Sequence, residues 1–399
     1  MKIEEEKLHT RKLILGITGG IAAYKSAELV RLLIKAGYEV QVVMTKAACQ
    51  FITSLTMQAL SGKPVFTSMW DSSNTNGMSH IDLSRETDAI LIAPASADFL
   101  YKLAHGRADD LLSTLCLARD CSLLVAPAMN KQMWENPATQ RNIHQLRQDQ
   151  VMIFGPDDGI QACGETGLGR MLEAPSLLKL VNAHFTPKLL KGKHVLITAG
   201  ATLEMIDPVR AVTNLSSGKM AYALAEAATD MGAIVTLISG VTTAIAPQSI
   251  NNILASSAEK MYQAVMLNIL NKDIFISVAA VADYTPTITN AQKIKKTDAL
   301  MLIELTRTKD ILQEVASLPN APFCVGFAAE TDSLLENASI KRKNKKLPLI
   351  IANDAVNTMG NDEASVTLLD DTGNHTLPKS TKMKVAHDIL QHISTMLKT

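Results

Sequence analysis

The 399-residue chain carries 39 basic and 39 acidic residues, a formal net charge of zero, and at about 150 residues per domain has material for two or three domains. Balanced charge withholds the long-range positive field that drives binding to nucleic acid or anionic membranes, and an aromatic content of 4% leaves few stacking platforms for bases. Hydrophobic residues at 47% and charged residues at 20% exclude a disordered chain. The charged N-terminal stretch MKIEEEKLHTRK lacks the apolar core of a signal peptide, and no run reaches the roughly 18 apolar residues of a membrane helix. Five cysteines without a C-x-x-C pair fit a reducing, cytoplasmic compartment. Nine histidines without ligand spacing such as H-E-x-x-H speak against structural zinc.

In chain order, residues 12–20 (KLILGITGG) predict a strand and a glycine loop, followed by the helix IAAYKSAELVRLLIKAG and a second strand, YEVQVVMT. About half a chain later the succession recurs as KHVLITAG, a longer loop, SSGKMAYALAEAATDMGA and IVTLISG. Each is the βαβ unit of a parallel sheet, and the apolar runs AILIAPASA and DIFISVAAVAD fit strands buried on both faces. AHFTPKLLKGK, with Pro187 and several lysines, reads as a linker. Two α/β domains of similar size follow, divided near residue 190; the halves share architecture and no residue-level repeat.

Gly16, Gly19 and Gly20 sit between a strand and a helix, where backbone amides can cradle a phosphate. On local evidence the loop is equally a tight turn, and the absence of G-x-G-x-x-G gives no dinucleotide signal. Beyond it come MSHIDLS with His80, APASAD with Ser96, APAMN with Asn130, and QACGETGLGRM with Cys163. An isolated His is commonly structural, and Asn130 after an apolar strand is as much a turn former as a ligand contact. Cys163, among Gly164, Gly167 and Gly169, belongs to a mobile loop, a setting that favours a reactive or proton-donating thiol over a core cysteine.

In this order over most of residues 12–180, these motifs resemble the homo-oligomeric flavin-containing cysteine decarboxylases, in particular the decarboxylase half of bifunctional coenzyme A biosynthesis enzymes. The resemblance implies that residues 1–190 form a flavodoxin-like flavoprotein domain binding FMN at Gly19, Gly20 and Ser96. In that family FMN oxidises the thiol of 4'-phospho-N-pantothenoylcysteine to a thioaldehyde, and the sulfur then accepts electrons as CO2 leaves. Reduced flavin returns the hydride, giving 4'-phosphopantetheine. His80 is then the catalytic base, Asn130 holds the departing carboxylate, and Cys163 donates the proton from a loop over the substrate. The residue types suit these tasks, because a neutral amide orients a carboxylate without holding it as tightly as Arg would.

In the second half, IDPVRAVTNLSSGKM precedes a helical stretch, and its Ser-Ser-Gly is either an N-cap or a phosphate-accepting helix start. AAVADY, QKIKK, GFAAET and KRKNKK follow. A strand-ending Asp283 and two basic clusters suit a polyanionic nucleotide with a metal ion, although a lysine run alone usually marks a solvated surface. In order and spacing these motifs resemble the phosphopantothenate–cysteine ligase half of the same bifunctional enzymes, over most of residues 191–399. The resemblance fades over the last thirty or so residues, and Thr285-Pro286 stands where a basic residue is expected near the proline.

This likeness implies that CTP, with Mg2+, activates 4'-phosphopantothenate as an acyl-cytidylate, releasing pyrophosphate, before the amine of L-cysteine displaces CMP. Asn214 contacts the acyl intermediate with help from Arg210. Ala279, Asp283, Lys293, Phe327, Lys341 and Lys345 fall where the family binds CTP, and Lys309, Asp310, Ile311 and Leu312 align with a further nucleotide-contacting loop. The expected architecture is two Rossmann-like, three-layer α/β domains with mostly parallel sheets. Trimeric decarboxylase units and dimeric ligase units would combine into a homo-oligomer as large as a dodecamer. A non-catalytic flavin-binding regulatory protein on the same fold would lack His80, Asn130 or Cys163, all of which are present. A tandem NAD-type dehydrogenase is disfavoured by the missing G-x-G-x-x-G and its acidic ribose partner.

Overall fold

The apolar run KLILGI forms strand β1 (Lys12–Ile17), buried along all but its first residue. Alternate side chains of β1 point into two separate cores: Leu13, Leu15 and Ile17 into one, Ile14 into the other. The computed structural model describes residues 10–70, 83–247, 250–295, 301–330, 333–354 and 361–398. Contacts divide the chain into two units, residues 1–185 and 186–399, each built on its own sheet.

In the first unit β1 is joined by β2 (Glu39–Met44), β3 (Ala89–Ala95), β4 (Ser122–Pro127) and β5 (Met152–Ile153) in the order β2-β1-β3-β4-β5, all parallel. The helix Lys25–Lys35 presents Leu29, Val30 and Leu33 to one face, at a helical spacing. Burying each such side chain contributes about 1.5–3 kcal/mol. Phe99, Leu100 and Leu112 cover the other face. This strand order is flavodoxin-like, and it opens a crevice at the strand C-termini between β1 and β3, where the connections diverge. The glycine-rich stretch expected to be a loop instead forms an antiparallel hairpin, β6 (Asp157–Ile160) with β7 (Thr166–Arg170). Its exposed residues carry no apolar alternation, so no strand period marks it in the sequence.

In the second unit the main strands are β8 (His194–Ala199), β11 (Ile234–Ser239), β12 (Asn251–Leu254), β13 (Ile274–Ser277), β16 (Phe323–Glu330), β17 (Leu349–Asp354), β18 (Glu363–Leu369) and β19 (Asn374–Thr381). Their order is β12-β11-β8-β13-β16-β17-β18-β19, parallel as far as β17 and antiparallel for the last two pairings. The parallel part has the Rossmann order, reversing between β8 and β13. Short hairpins β9 (Leu203–Met205) with β10 (Ala211–Thr213), and β14 (Tyr284–Pro286) with β15 (Leu305–Arg307), rise from the strand C-termini. The apolar run expected to be one strand over residues 273–283 leaves the sheet after Ser277. There the Thr198 hydroxyl accepts the Val278 and Ala279 amides, both at 3.2 Å, and turns the chain outward. On one face the helix Lys219–Asp230 packs beside the last helix, Lys382–Met396, burying Leu224, Ala228, Ile389 and Ile393. Among the described residues no helix is long and apolar enough to cross a membrane.

Candidate functional site

In the first unit, the turn after β1 and the end of β3 are tied together by Thr18. Its hydroxyl donates to the Pro94 carbonyl (2.8 Å) and accepts the Ser96 amide (2.9 Å). Ser96 in turn caps the helix Ala97–Ala104 by accepting the Phe99 amide. Gly19 and Gly20 lie on the same turn, and a Cβ built on Gly20 meets no atom within 4 Å, so this backbone faces open space. A helix N-terminus, a glycine turn and two hydroxyls therefore share one strand-end crevice, a combination suited to an anion. Thr18 went unnoticed in the sequence, because a single Thr in ITGG has no signal of its own. His80 lies outside the described residues.

Asn130 stands at the end of β4 as the N-cap of the helix Lys131–Glu135, its Oδ1 accepting the Gln132 amide at 2.8 Å. That bond fixes the side chain and leaves Nδ2 free to donate elsewhere. It donates to Glu165 Oε2 and lies 3.5 Å from Cys163 Sγ, on the turn of the β6–β7 hairpin. The Cys163 thiol is exposed and also lies 3.6 Å from Glu165 Oε2. Gln161 Oε1 accepts the Lys131 amide and pins the hairpin to the same helix. Gly169 has φ 140°, and a Cβ there would stand 2.5 Å from the Met129 carbonyl oxygen, so only glycine permits this approach. The expected pair, Asn130 and Cys163, is thus brought together. Glu165 and Gln161 are added to it, and their signal was their place two residues to either side of Cys163. The other thiols are of a different kind: burial pushes those of Cys49, Cys116 and Cys121 up, and that of Cys324 up to about 12.

In the second unit a cleft of about 830 Å³ opens at the C-terminal ends of β8, β13, β16 and β17, within the usual size range of small-molecule sites. Of the expected residues it gathers Asn214, Ala279, Asp283, Phe327, Lys341, Lys345 and the stretch from Lys309 to Leu312. Asn214 Nδ2 donates to the carbonyls of Ala280 and Val281, both at 3.2 Å. Asp310 caps the helix Ile311–Ala316 and holds Lys345 Nζ at 2.8 Å, while Ile311 and Leu312 are largely buried in the core. Lys309 pairs with Glu259 and lies 4.1 Å above the Tyr262 ring. The run KRKNKK is split by its helix: Lys341 and Lys345 line the cleft, whereas Arg342 pairs with Asp371.

Ser216, Ser217 and Gly218 also line the cleft, and Gly218 is the N-cap of the helix Lys219–Asp230 with no side-chain cap bond. Of the two readings of Ser-Ser-Gly, the side-chain cap is therefore not the one adopted at the N-cap position. Lys219 and Lys382 complete the basic wall; Lys382 went unnoticed in the sequence because it belongs to neither of the two basic clusters. Burial, and then the neighbouring Lys219, push the Lys382 ammonium down.

Arg210 and Lys293 do not line the cleft. Arg210 donates to the Ile294 carbonyl at 3.0 Å, and the buried Asp207 accepts the Val209, Arg210 and Ile294 amides. The turn before β10 is thereby fastened to the segment carrying the exposed Lys293. Burial pushes the Asp207 carboxyl up, but these amides and the Arg210 guanidinium outweigh it and hold the group below its ordinary range.

Comparison with known proteins gives matches along the whole chain. Residues 1–186 match the family profile described as flavoprotein, and residues 190–397 that of the DNA/pantothenate metabolism flavoprotein C-terminal domain. The coenzyme A biosynthesis bifunctional protein CoaBC of Vibrio vulnificus is 49% identical over 98% of this chain and 99% of its own. That of Escherichia coli is 42% identical over 96% and 97%. Among solved structures, the C-terminal domain of a coenzyme A biosynthesis bifunctional protein CoaBC is 40% identical, with a TM-score of 0.47, over 53% of this chain and 98% of that one.

Proposed function

The chain belongs to the family of coenzyme A biosynthesis bifunctional proteins and is an enzyme with decarboxylase and ligase activities; from that premise we propose how its residues divide the two reactions. The first unit carries FMN-dependent decarboxylation of 4'-phospho-N-pantothenoylcysteine. The second carries the CTP-dependent joining of 4'-phosphopantothenate to L-cysteine, with the boundary near residue 190. The observation that carries this reading is the meeting of the Asn130 amide and the Cys163 thiol, 3.5 Å apart, at the strand-end crevice of a flavodoxin-like sheet.

The turn of Gly19 and Gly20, with Thr18 and Ser96, fits a single phosphate and so fits FMN better than a dinucleotide. Bound there, FMN supplies the two-electron oxidation of the substrate thiol and its reversal. The chain's own residues do the rest. Asn130 Nδ2 holds the substrate carboxylate with a neutral donor, which orients it without stabilising it as Arg would, and so favours its loss as CO2. The same donor also reaches Glu165 Oε2, so the Glu165 carboxylate competes with the substrate's for Asn130. Cys163 delivers the proton from the hairpin turn, which also keeps water out. His80 serves as the base by resemblance alone.

In the second unit the basic cleft receives CTP. Lys341, Lys345, Lys219 and Lys382, with the start of the helix after Gly218, neutralise the triphosphate and stabilise charge on the departing pyrophosphate. Lys345 exchanges Asp310 for phosphate when the nucleotide enters. Asp283, on the lining of the cleft, is the residue that would hold Mg2+, which would supply charge neutralisation for the triphosphate. Asn214 holds the acyl-cytidylate while the amine of cysteine attacks, and Arg210 fastens the turn before β10 to the segment of Lys293. A homo-oligomer is supported by exposed apolar side chains such as Ile21 and Tyr24, 63% and 62% exposed, directly after the glycine turn.

The test is a purified full chain. It is expected to be yellow, to release FMN on denaturation, and to turn CTP over to CMP and pyrophosphate continuously only when both 4'-phosphopantothenate and cysteine are present, phosphopantothenate alone giving at most one pyrophosphate per site, with CO2 following the complete reaction. A colourless, flavin-free protein would overturn the first assignment. CTP turnover indifferent to phosphopantothenate would overturn the second.

A further inference from the structure

Away from the cleft, the described residues of the second unit hold a cluster of converging metal-type donors. Asp370 follows β18, His375 lies at the start of β19, and His392 sits on the helix Lys382–Met396. A carboxylate oxygen and two imidazole nitrogens lie within 4.8 Å of one another. No spacing motif marks them, since the antiparallel pairing of His375 with Leu368 and the packing of the last helix are what assemble the group.

The carboxylate is held before either imidazole is counted. Asp370 is buried, its side chain 2% exposed, and its Oδ1 accepts the Thr372 amide (2.7 Å), the Thr372 hydroxyl (2.6 Å) and the Gly373 amide (3.1 Å). His375 Nε2 is a fourth, longer neighbour of that oxygen at 3.3 Å. Among the described residues, the neighbour of Oδ2 is His392 Nε2 at 2.7 Å. Both rings therefore aim the same nitrogen at one carboxylate. Read as hydrogen bonds alone, the arrangement crowds four donors onto Oδ1 and requires both rings to carry their proton on Nε2. The Thr372 hydroxyl gives its one proton to Asp370 Oδ1, and its oxygen, 3.0 Å from His375 Nε2, can accept only while that nitrogen carries a proton. A cation between Oδ2 and two deprotonated Nε2 atoms uses the free lone pairs and relieves the crowding.

We propose that Asp370, His375 and His392 form a binding site for one divalent transition-metal ion of the Zn2+ class, which staples the β18–β19 hairpin to the last helix. Two imidazoles and one carboxylate favour Zn2+, Co2+ or Ni2+ over Mg2+ and Ca2+, which prefer all-oxygen shells. Metal–ligand distances of about 2.0–2.2 Å require the donors to close inward. The histidine side chains, 40% and 23% exposed, have room to turn, and their open side leaves positions for water. The role is structural, because the cluster lies at the end of the sheet away from the cleft. Leu369 pairs with Ile350 near the start of β17, whereas the cleft is lined by Asn353 near its end. Along the last helix, Lys382 reaches the cleft and His392 lies almost three turns further on.

The experiment uses the untagged full chain, stripped with chelator and titrated with ZnCl2 calorimetrically and with CoCl2 by visible absorption. One ion per chain is expected, with a rise in Tm, and millimolar Mg2+ should not compete. His392→Gln and Asp370→Asn should each weaken binding at least about tenfold and remove the Zn2+-dependent rise in Tm, while ligase turnover stays unchanged. Asp370→Asn also disturbs a buried turn, so His392→Gln, which keeps a donor toward Oδ2, is the decisive variant if the other fails to fold. No stoichiometric binding, or binding that both variants retain, would overturn the site and leave a hydrogen-bonded clamp.

Discussion

Single side chains are set apart here by what surrounds them. Cys163 is exposed on a hairpin turn between Glu165 and Asn130, whereas burial pushes the other thiols up and keeps them protonated. Cys163→Ser keeps the size and loses the acidity, so decarboxylation should continue to CO2 while the final protonation falls by about 10²–10⁴-fold. Mass spectrometry should find an enethiol two hydrogens lighter than 4'-phosphopantetheine. Normal product at the normal rate would remove the role. A second residue-scale expectation concerns Asp273, which accepts the His194 amide at 2.8 Å and pairs with Lys193. Burial pushes its carboxyl up, but these donors prevail and hold it below the ordinary range. The unfolded carboxyl titrates near about 3.9. The stability Asp273 contributes is therefore present above that pH and is lost as pH falls toward its lower folded value. Urea midpoints measured from pH 6 down to pH 3 should fall less steeply in Asp273→Asn than in the parent. Parallel slopes would count against the assignment.

Elements explain which parts of the molecule the sequence could announce. Strands β1, β3, β4 and β8 are buried on both faces, so KLILGI, AILIAPA, SLLVAP and HVLITA are continuous apolar runs that can be read directly. The β6–β7 hairpin carries no such period, because its side chains face solvent and its glycines serve close backbone approach; only its composition hinted at function. The split of KRKNKK into Lys341 and Lys345, which line the cleft, and Arg342, a largely buried side chain paired with Asp371, is likewise a matter of helix phase that a charge run hides. Lys219, Lys382 and Asp207 come from separate elements and meet their partners only in the fold. The hairpin's fit can be tested at Gly169. Gly169→Ala places a Cβ 2.5 Å from the Met129 carbonyl oxygen at φ 140°, so the hairpin must lift from Asn130. Decarboxylation is expected to fall at least about 100-fold with a raised KM, since an offset of about 1 Å at a reacting group costs that much. Bound flavin and ligase turnover should remain at parent levels. Loss of all three would mark a folding defect and reject a role confined to the hairpin.

At the scale of the whole molecule, the question is whether two activities require one chain. Among the described residues the buried apolar side chains fall into four clusters, and none of these mixes the units: two draw on residues before 186 and two on residues after it. Each unit has its own sheet, helices on both faces and a strand-end crevice, and each is well within the size at which a single core sustains folding. The helix Ala174–Phe185 packs on the first sheet through Ala174, Leu177 and Val181, while Leu190 belongs to the second core. A cut between residues 185 and 190 therefore severs no buried cluster among the described residues. Expressed separately, residues 1–187 should fold, retain flavin and decarboxylate 4'-phospho-N-pantothenoylcysteine. Residues 186–399 should fold without flavin and make pyrophosphate from CTP at a kcat within a few-fold of the full chain. Mixing the fragments should restore the overall conversion, delayed only by release of the intermediate into solution. If either fragment is soluble and folded by circular dichroism yet inactive, with activity returning on mixing, then each site borrows from the other unit and the independence argued from the cores is wrong.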